Sequence, residues 1–252
     1  MNGEFKRILK YYFLKEKKIN IISSLRRSGW NYTEAVLNSA FCLKIGIPSK
    51  IIFNEDRYYS YFSCSKPLDY RGIFKPNTEQ YLFHTHQPYE NITTNLKKDA
   101  NIVVLCRNPL DFIKSSIVKH LISKNKFKEN LNLSEFLEID NEKKFIKYFN
   151  NFIKSWLNKS DKLKVIYFEN NQIKENPFNY FKKINNHFNF GFNDDQIIKS
   201  IDECTIENQK KNMSEKSIRV SNVNLTFEDE LVKFINTNCH QNWKNYMNLI
   251  AS

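Results

Sequence analysis

The sequence predicts an α/β protein of three layers, with a central, mostly parallel sheet flanked by helices. Three segments carry that prediction. Ile19–Leu37 runs from an Ile-rich apolar stretch through Ser23-Ser24 and a turn holding Arg26, Arg27, Ser28 and Gly29, then into a pattern with Val36, Leu37, Ala40 and Phe41 on one helical face. Asn101–Cys106 is a continuous apolar run of the kind buried on both faces in parallel sheets, and Arg107-Asn108-Pro109 separates it from a helical stretch, Asp111–Leu121. Lys164–Phe168 reads as a further strand, followed by Asn176-Pro177 and a helix carrying Phe178, Phe181, Ile184 and Phe188. Strands that alternate with helices pair in parallel, and such sheets bind ligands beyond the carboxyl ends of their strands.

The remaining elements follow the same logic. The 252 residues read as one domain, 1–252, because no Gly/Ser- or Pro-rich linker and no internal repeat divides them. Thr33 is the expected N-cap of the first helix, and Gly46-Ile47-Pro48 closes it in the order Gly then Pro. Ile51–Pro76 is irregular and rich in aromatics, and Tyr58, Tyr59, Tyr61 and Phe62 suit either an acceptor pocket or a satellite core. Tyr81-Leu82-Phe83 is a short strand running into His84-Thr85-His86-Gln87-Pro88. Ser123–Glu142 is polar and reads as a mobile insertion, Phe145–Leu157 as a helix, and Thr226–Leu249 as a long helix broken near Asn236–Asn238. Trp156, Trp243 and the Phe178–Phe188 spacing are core residues, and His120, His187 and His240 are structural.

Charge and cysteine usage narrow the function classes. A formal net charge of +12 favours an anionic partner, which nucleic acid, an acidic membrane or a multiply charged nucleotide would each satisfy. No stretch reaches the ~18–20 apolar residues of a membrane span. Phe5–Lys18 is broken by charge throughout, so it reads as a basic amphipathic segment packed on its own domain rather than a signal peptide. Five cysteines, without a C-x-x-C pair or a metal-ligand spacing, read as reduced structural thiols and imply a cytoplasmic protein.

Chemistry concentrates in three loops that this fold class brings to one sheet edge: Arg26–Asn31, His84–Pro88 and Arg107–Ser116. Strand, tight turn and helix aim backbone N–H groups and a helix N-terminus at an anion, and guanidinium forks suit phosphate and sulfate oxygens. With only 5 glycines in the chain, Gly29 in the first loop is informative. The pattern G-x-x-x-x-G-K-[ST] is missing, so there is no Lys-Ser/Thr pair for β,γ-phosphates and Mg²⁺. The Ile102–Leu105 strand ends in Cys106-Arg107, where a metal-dependent phosphotransferase would place an Asp. A metal-free transfer is the better reading. Another nucleotide-dependent P-loop transferase or kinase, or a basic nucleic-acid-binding protein that keeps the fold, is the alternative.

These residues resemble the sulfotransferases that use 3′-phosphoadenosine 5′-phosphosulfate (PAPS). The family's first motif, P-K-S-G-[ST]-[ST]-W, is similar to Arg26-Arg27-Ser28-Gly29-Trp30-Asn31-Tyr32. The resemblance implies a P-loop-like nucleotide-binding fold, with Arg27 in place of the Lys at the bridging oxygen and Arg26, Ser28, Gly29, Trp30 and Asn31 around the 5′-phosphosulfate. The 3′-phosphate motif is matched by Val103-Val104-Leu105-Cys106-Arg107-Asn108-Pro109-Leu110-Asp111, with Ser115 at the Ser position. The segment K-T-H-[LFQ]-P resembles His84-Thr85-His86-Gln87-Pro88 and makes His86 the candidate base, with His84 a supporting group, an alternative base or structural. The Y-E-D-x-x-x-x-P region resembles Phe168-Glu169-Asn170 through Asn176-Pro177, lengthened by two residues, and Phe168 stands where the family often has a Tyr near the adenine. The R-K-G clamp is not clearly present, and Arg219 is the candidate to replace it. The four segments follow in the family's order over Ile19–Phe188.

The implied reaction is in-line sulfuryl transfer from PAPS to a hydroxyl or amine of a small-molecule, sugar or lipid acceptor, releasing adenosine 3′,5′-bisphosphate (PAP), with no metal and no specific nucleic acid. His, with an ordinary pKa of ~6.5, suits the base, and the first helix adds about half a positive charge at its N-terminus. The acceptor's identity and the oligomeric state have no signature in the sequence.

Overall fold

A computed structural model of the chain describes residues 18–44, 46, 80–90, 100–126, 128–159, 163–205, 207–208 and 225–251. The elements are β1 (Lys18–Ser24), α1 (Trp30–Lys44), β2 (Gln80–Thr85), β3 (Ala100–Cys106), α2 (Pro109–Ser123), β4 (Asn130–Leu131), α3 (Leu133–Lys143), α4 (Phe145–Leu157), β5 (Lys164–Glu169), α5 (Asn170–Glu175), α6 (Pro177–Phe188), α7 (Asp194–Glu203), β6 (Thr226–Phe227) and α8 (Asp229–Ala251). Four strands form a sheet in the order β2-β1-β3-β5, parallel at every pairing. Its register sets Ser24 beside Leu105 and Leu105 beside Phe168, so the strands end at a common edge.

Side-chain alternation along these strands divides the core in two. Ile21, Ile102 and Val104 face Phe112, Phe149, Phe152, Trp156 and Tyr246 from α2, α4 and α8. Ile22, Val103 and Leu105 face Val36, Leu37, Phe181, Ile184 and Ile197 from α1, α6 and α7. The expected three layers are therefore present. β1 stands where the winding reverses, with α1 on one face of the sheet and α2 on the other, and this is the crevice where such sheets hold ligands.

Local chemistry sets the helix ends. Asn108 accepts from Asp111 N–H at 2.9 Å and Pro109 opens α2, while Asn176 caps α6 ahead of Pro177 in the same way. Gly46, in the left-handed region with φ +71°, receives the chain after α1.

Two expectations are corrected. Ser123–Glu142, expected as a mobile insertion, carries regular structure within the described residues: β4, paired with β6, and α3, capped by Asn132. Its apolar content is small but well placed, because Leu131 and Phe136 are both buried in the core. α8 does not break near Asn236–Asn238. There the side chains turn back on the helix, Thr237 Oγ1 donating to Lys233 O and Asn238 Nδ2 to Phe234 O.

Tyr246 ties α8 to the sheet. Its buried hydroxyl is shared between Phe168 O at 3.0 Å and Val104 O at 3.2 Å. Tyr246→Phe leaves those carbonyls without their side-chain donor and is expected to lower stability by about 1–2 kcal/mol. The drop would be read as a lower urea midpoint at unchanged m.

Candidate active site

The site begins where β1 ends. Leu25 N–H donates to Leu105 O at 2.9 Å, carrying the sheet one residue past the strand, and Ser28 N–H then turns back to Leu25 O at 3.2 Å. Arg27 and Gly29 both take left-handed backbone, with φ +68° and +88°. This tight reversal starts α1 at Trp30, earlier than expected: Thr33 N–H bonds Gly29 O at 3.0 Å, so Gly29 rather than Thr33 occupies the N-cap position. The Thr33 hydroxyl instead bridges Gly29 O and the Tyr180 hydroxyl. Glycine is required twice over, because a Cβ on Gly29 would stand 2.6 Å from Asn170 Oδ1 and 3.0 Å from Ile173 Cδ1.

Arg27 holds a left-handed backbone that costs an L side chain about 1–3 kcal/mol, and two contacts restrain it. Arg107 Nη1 donates to Arg27 O at 3.2 Å, and Arg27 Nε donates to Ser115 Oγ at 2.9 Å. Burial first, and the neighbouring Arg107 charge second, pull the Arg27 pKa below the ordinary arginine value. Arg107 also lies 3.7 Å from Asp111 Oδ2 through Nε, too long for a hydrogen bond, which leaves that buried N–H without a hydrogen-bond partner among the described residues. Two crowded guanidiniums and an orphaned donor fit an anion.

A cavity of about 840 Å³ opens over these groups. Arg26, Arg27, Gly29, Trp30 and Asn31 line it from the first loop and α1, His86 from the second loop, and Arg107 and Ser115 from the third, so most of the expected site residues converge. Ser28 does not line it: its side chain is fully buried and its N–H is taken by Leu25 O. Phe168 is likewise turned into the core, edge-on to Tyr180 at 4.7 Å. The pleat explains this placement, and Asn170, two residues later, lines the cavity in its stead. Arg219, Tyr58, Tyr59, Tyr61, Phe62 and Phe5–Phe13 lie outside the described residues.

Two imidazoles meet the end of β1. His86 Nδ1 is 2.8 Å from Ser24 O, a carbonyl that only accepts, so Nδ1 carries the proton and the Nε2 lone pair is left for chemistry. Ser24 Oγ lies 3.2 Å from the same Nδ1 and 2.7 Å from His84 Nε2. The consistent assignment makes the serine hydroxyl accept from His86 and donate to His84. His84 is a strand residue rather than a loop residue, and Trp30 stacks flat on it with centroids 3.9 Å apart and planes 1° from parallel. Burial, then the His86 charge, holds the His84 pKa well below its ordinary value. Burial also lowers the His86 pKa, opposed by the Ser24 carbonyl and reinforced by the charges of Arg26 and Lys119.

Sequence reasoning missed several lining residues: Tyr32, Ser116, Lys119, Ser123, Lys143, Phe145, Asn170 and Lys174. His120, expected to be structural, lines the cavity as well, whereas His187 does serve structure, its Nε2 bonding Ile102 O at 3.1 Å. The missed signal on α2 was the recurrence of polar residues at 116, 119, 120 and 123, one helical face directly after the Arg-Asn-Pro turn.

Fold and cavity together define an α/β protein with clustered arginines and a histidine at the carboxyl edge of a parallel sheet. The chain belongs to the sulfotransferase family: a profile for the sulfotransferase domain matches residues 18–251. Solved structures share the fold. Retinol dehydratase with androsterone and the inactive cofactor PAP matches at 14% identity and TM-score 0.58, over 92% of this chain and 83% of that one. Retinol dehydratase with retinol and PAP matches at 15% and 0.59, with the same coverage. Mouse sulfotransferase SULT7A1 with PAP matches at 16% and 0.60, over 92% and 86%. Comparison with curated proteins by sequence returns no match.

Gly29→Ala tests the geometry of the first loop. The added methyl clashes with Asn170 and faces a left-handed backbone, so a loss of about 1–3 kcal/mol is expected, seen as a lower melting temperature. Restoring stability with Asn170→Ala in the same chain would confirm which contact is at fault.

Proposed function

We propose that the chain transfers a sulfuryl group in line from PAPS to a hydroxyl or amine of a small-molecule, sugar or lipid acceptor, with His86 as the base. The observation that carries this reading is the joining of Arg27, Arg107 and Ser115 in one hydrogen-bonded cluster on the same cavity as His86. A 3′-phosphate and a phosphosulfate together bring about four negative charges, which suits a cavity lined by Arg27 and Arg107 with no described acid on its wall. The PAP in the solved neighbours supports the same donor. Their retinol and androsterone support a small-molecule acceptor. A cytoplasmic setting and a single domain over 1–252 belong to the proposal, the setting supported by the buried free thiols of Cys42, Cys106 and Cys239. Among the described residues no helix is long and apolar enough to cross a membrane, and no acid–His–Cys cluster is suited to a metal.

Each group has a physical task. Arg107 and Ser115 hold the 3′-phosphate, which supplies the partner that Arg107 Nε lacks. The amides of Gly29, Trp30 and Asn31 at the start of α1 hold the 5′-phosphosulfate. His86 Nε2 takes the acceptor's proton as the acceptor oxygen or nitrogen bonds to sulfur. The bond from sulfur to the bridging oxygen breaks, and PAP departs with the electron pair. Arg27 stabilises the charge growing on that oxygen and, as a guanidinium, stays protonated throughout. β3 ends in Cys106-Arg107 where a kinase would place an Asp for Mg²⁺, which is why the transfer is read as metal-free.

Thermal melting with PAP, AMP and ATP separates this reading from a kinase or a generic nucleic-acid binder. PAP at 100 times its Kd is expected to stabilise the protein by about 2.7 kcal/mol, and Arg107→Ala to remove most of the advantage of PAP over AMP. Equal shifts with PAP and AMP would sink the proposal.

His86→Ala is expected to abolish turnover while sparing PAP affinity. The lowered His86 pKa fixes the sign of the pH dependence. The imidazole of the free enzyme stays neutral, and competent as a base, down through its ordinary value. The acid limb of kcat/KM therefore falls below pH 6.5, and a limb centred above 6.5 would contradict the assignment.

A further inference from the structure

Beyond His86 the cavity continues into a part that the donor does not need. One face of α2 lines it with Ser116, Lys119, His120 and Ser123, while the opposite face puts Phe112, Ile113, Ile117 and Leu121 into the core. The junction of α3 and α4 adds Lys143 and Phe145, and the first loop adds Arg26. Among the described residues, an acceptor held by apolar contact alone would find the Phe145 ring here, among hydroxyls and cations.

The charge on this wall is of one sign. Six Lys and Arg residues line the cavity and, among the described residues, no Asp or Glu does. Arg27 and Arg107 belong to the donor, and Lys174 lies on α5 near Asn170. That leaves Arg26, Lys119 and Lys143 toward the acceptor. Lys143 has an ion pair with Glu142, a carboxylate shared with Lys124. Arg26 only overlies the Tyr148 ring, at 5.5 Å. Lys119 is exposed and has no ion pair among the described residues. Arg26 and Lys119 line the same cavity as His86, so a ligand whose reacting group meets His86 also meets their charges. His120 senses Lys124, Lys143 and Lys126, opposed by Glu142, in addition to its burial.

We infer that the acceptor carries an anionic group, a carboxylate or a phosphate or sulfate ester, next to the hydroxyl or amine that receives the sulfuryl group, and that Lys119 and Arg26 hold it, with His120 and Lys143 at the rim. The inference rests on the sulfotransferase reading. It gives the cations a second role. The acceptor's anion offsets the field that weakens His86 as a base, so proton transfer becomes easier when the correct acceptor is bound.

Matched acceptors test this: 4-hydroxyphenylacetate against 4-hydroxyphenylacetamide, and N-acetylglucosamine 6-phosphate against N-acetylglucosamine. Radiolabelled sulfuryl transfer from PAPS and calorimetric binding to the PAP-loaded protein are measured for each. In at least one pair the charged member is expected to win by about tenfold or more in kcat/KM or Kd, with the gap narrowing as salt rises. The winning pair separates a carboxylate from a phosphate ester as the recognised anion. Lys119→Gln should shrink the preference at least about fivefold while PAP affinity stays at the wild-type value, which certifies the fold. Charged members that never exceed their neutral twins overturn the inference, and so does a preference that survives Lys119→Gln. Failure to bind PAP at all is a different result: it overturns the sulfotransferase reading, and this inference with it.

Discussion

The hydrogen bond from Leu25 N–H to Leu105 O is the constraint on which the site depends. It fixes the first loop to the strand that launches the third, so neither can move without the other. With the chain pinned there, only a left-handed turn at Arg27 and Gly29 brings α1 back over the sheet. That turn puts the guanidinium of Arg27 against Ser115 and its carbonyl against Arg107. It also lays Trp30 on His84. Three loops far apart in sequence thus share one rigid frame, and a ligand meets groups already placed rather than groups that must be gathered.

Such a frame stores electrostatic tension. Arg27 and Arg107 stand close enough to disturb each other, and Arg26 and Lys119 bear on His86. Without an anion the cluster is destabilising, and the core beneath it holds it together: Phe112, Ile113 and Ile117 anchor α2, and Ile173, Phe181 and Ile184 anchor the helices behind Gly29. Packing on both faces of a parallel sheet sustains like charges at its edge. The same arrangement suits the proposed donor, whose negative charges would offset the repulsion between Arg27 and Arg107.

Much of this was legible from the residues. The three strand-turn-helix segments, the Arg-Asn-Pro turn and the scarce Gly29 each have a local physical cause that sequence displays. What escaped depended on distance. Thr33 resembled an N-cap because its type suits one, yet the turn geometry set by a strand 80 residues away gave the position to Gly29. Ser123–Glu142 looked mobile because two buried side chains, Leu131 and Phe136, are enough to seat it and too few to show as a pattern. Phe168 was assigned by its place in a motif, whereas the pleat of β5 decides which way it points. Lys119 and His120 were invisible as site residues because helical periodicity shows which face is polar, and only the fold shows what that face overlooks.

The flat stack of Trp30 on His84 has an optical consequence. The chain holds three tryptophans, and Trp156 is sealed in the core while Trp243 stacks on Tyr246 in α8. Trp30 alone lies against an ionisable ring at the wall of the cavity. An imidazole pressed on an indole face quenches its emission by electron transfer, and does so more strongly once protonated. A displacement of His84 from the Trp30 face is therefore expected to change that tryptophan's emission.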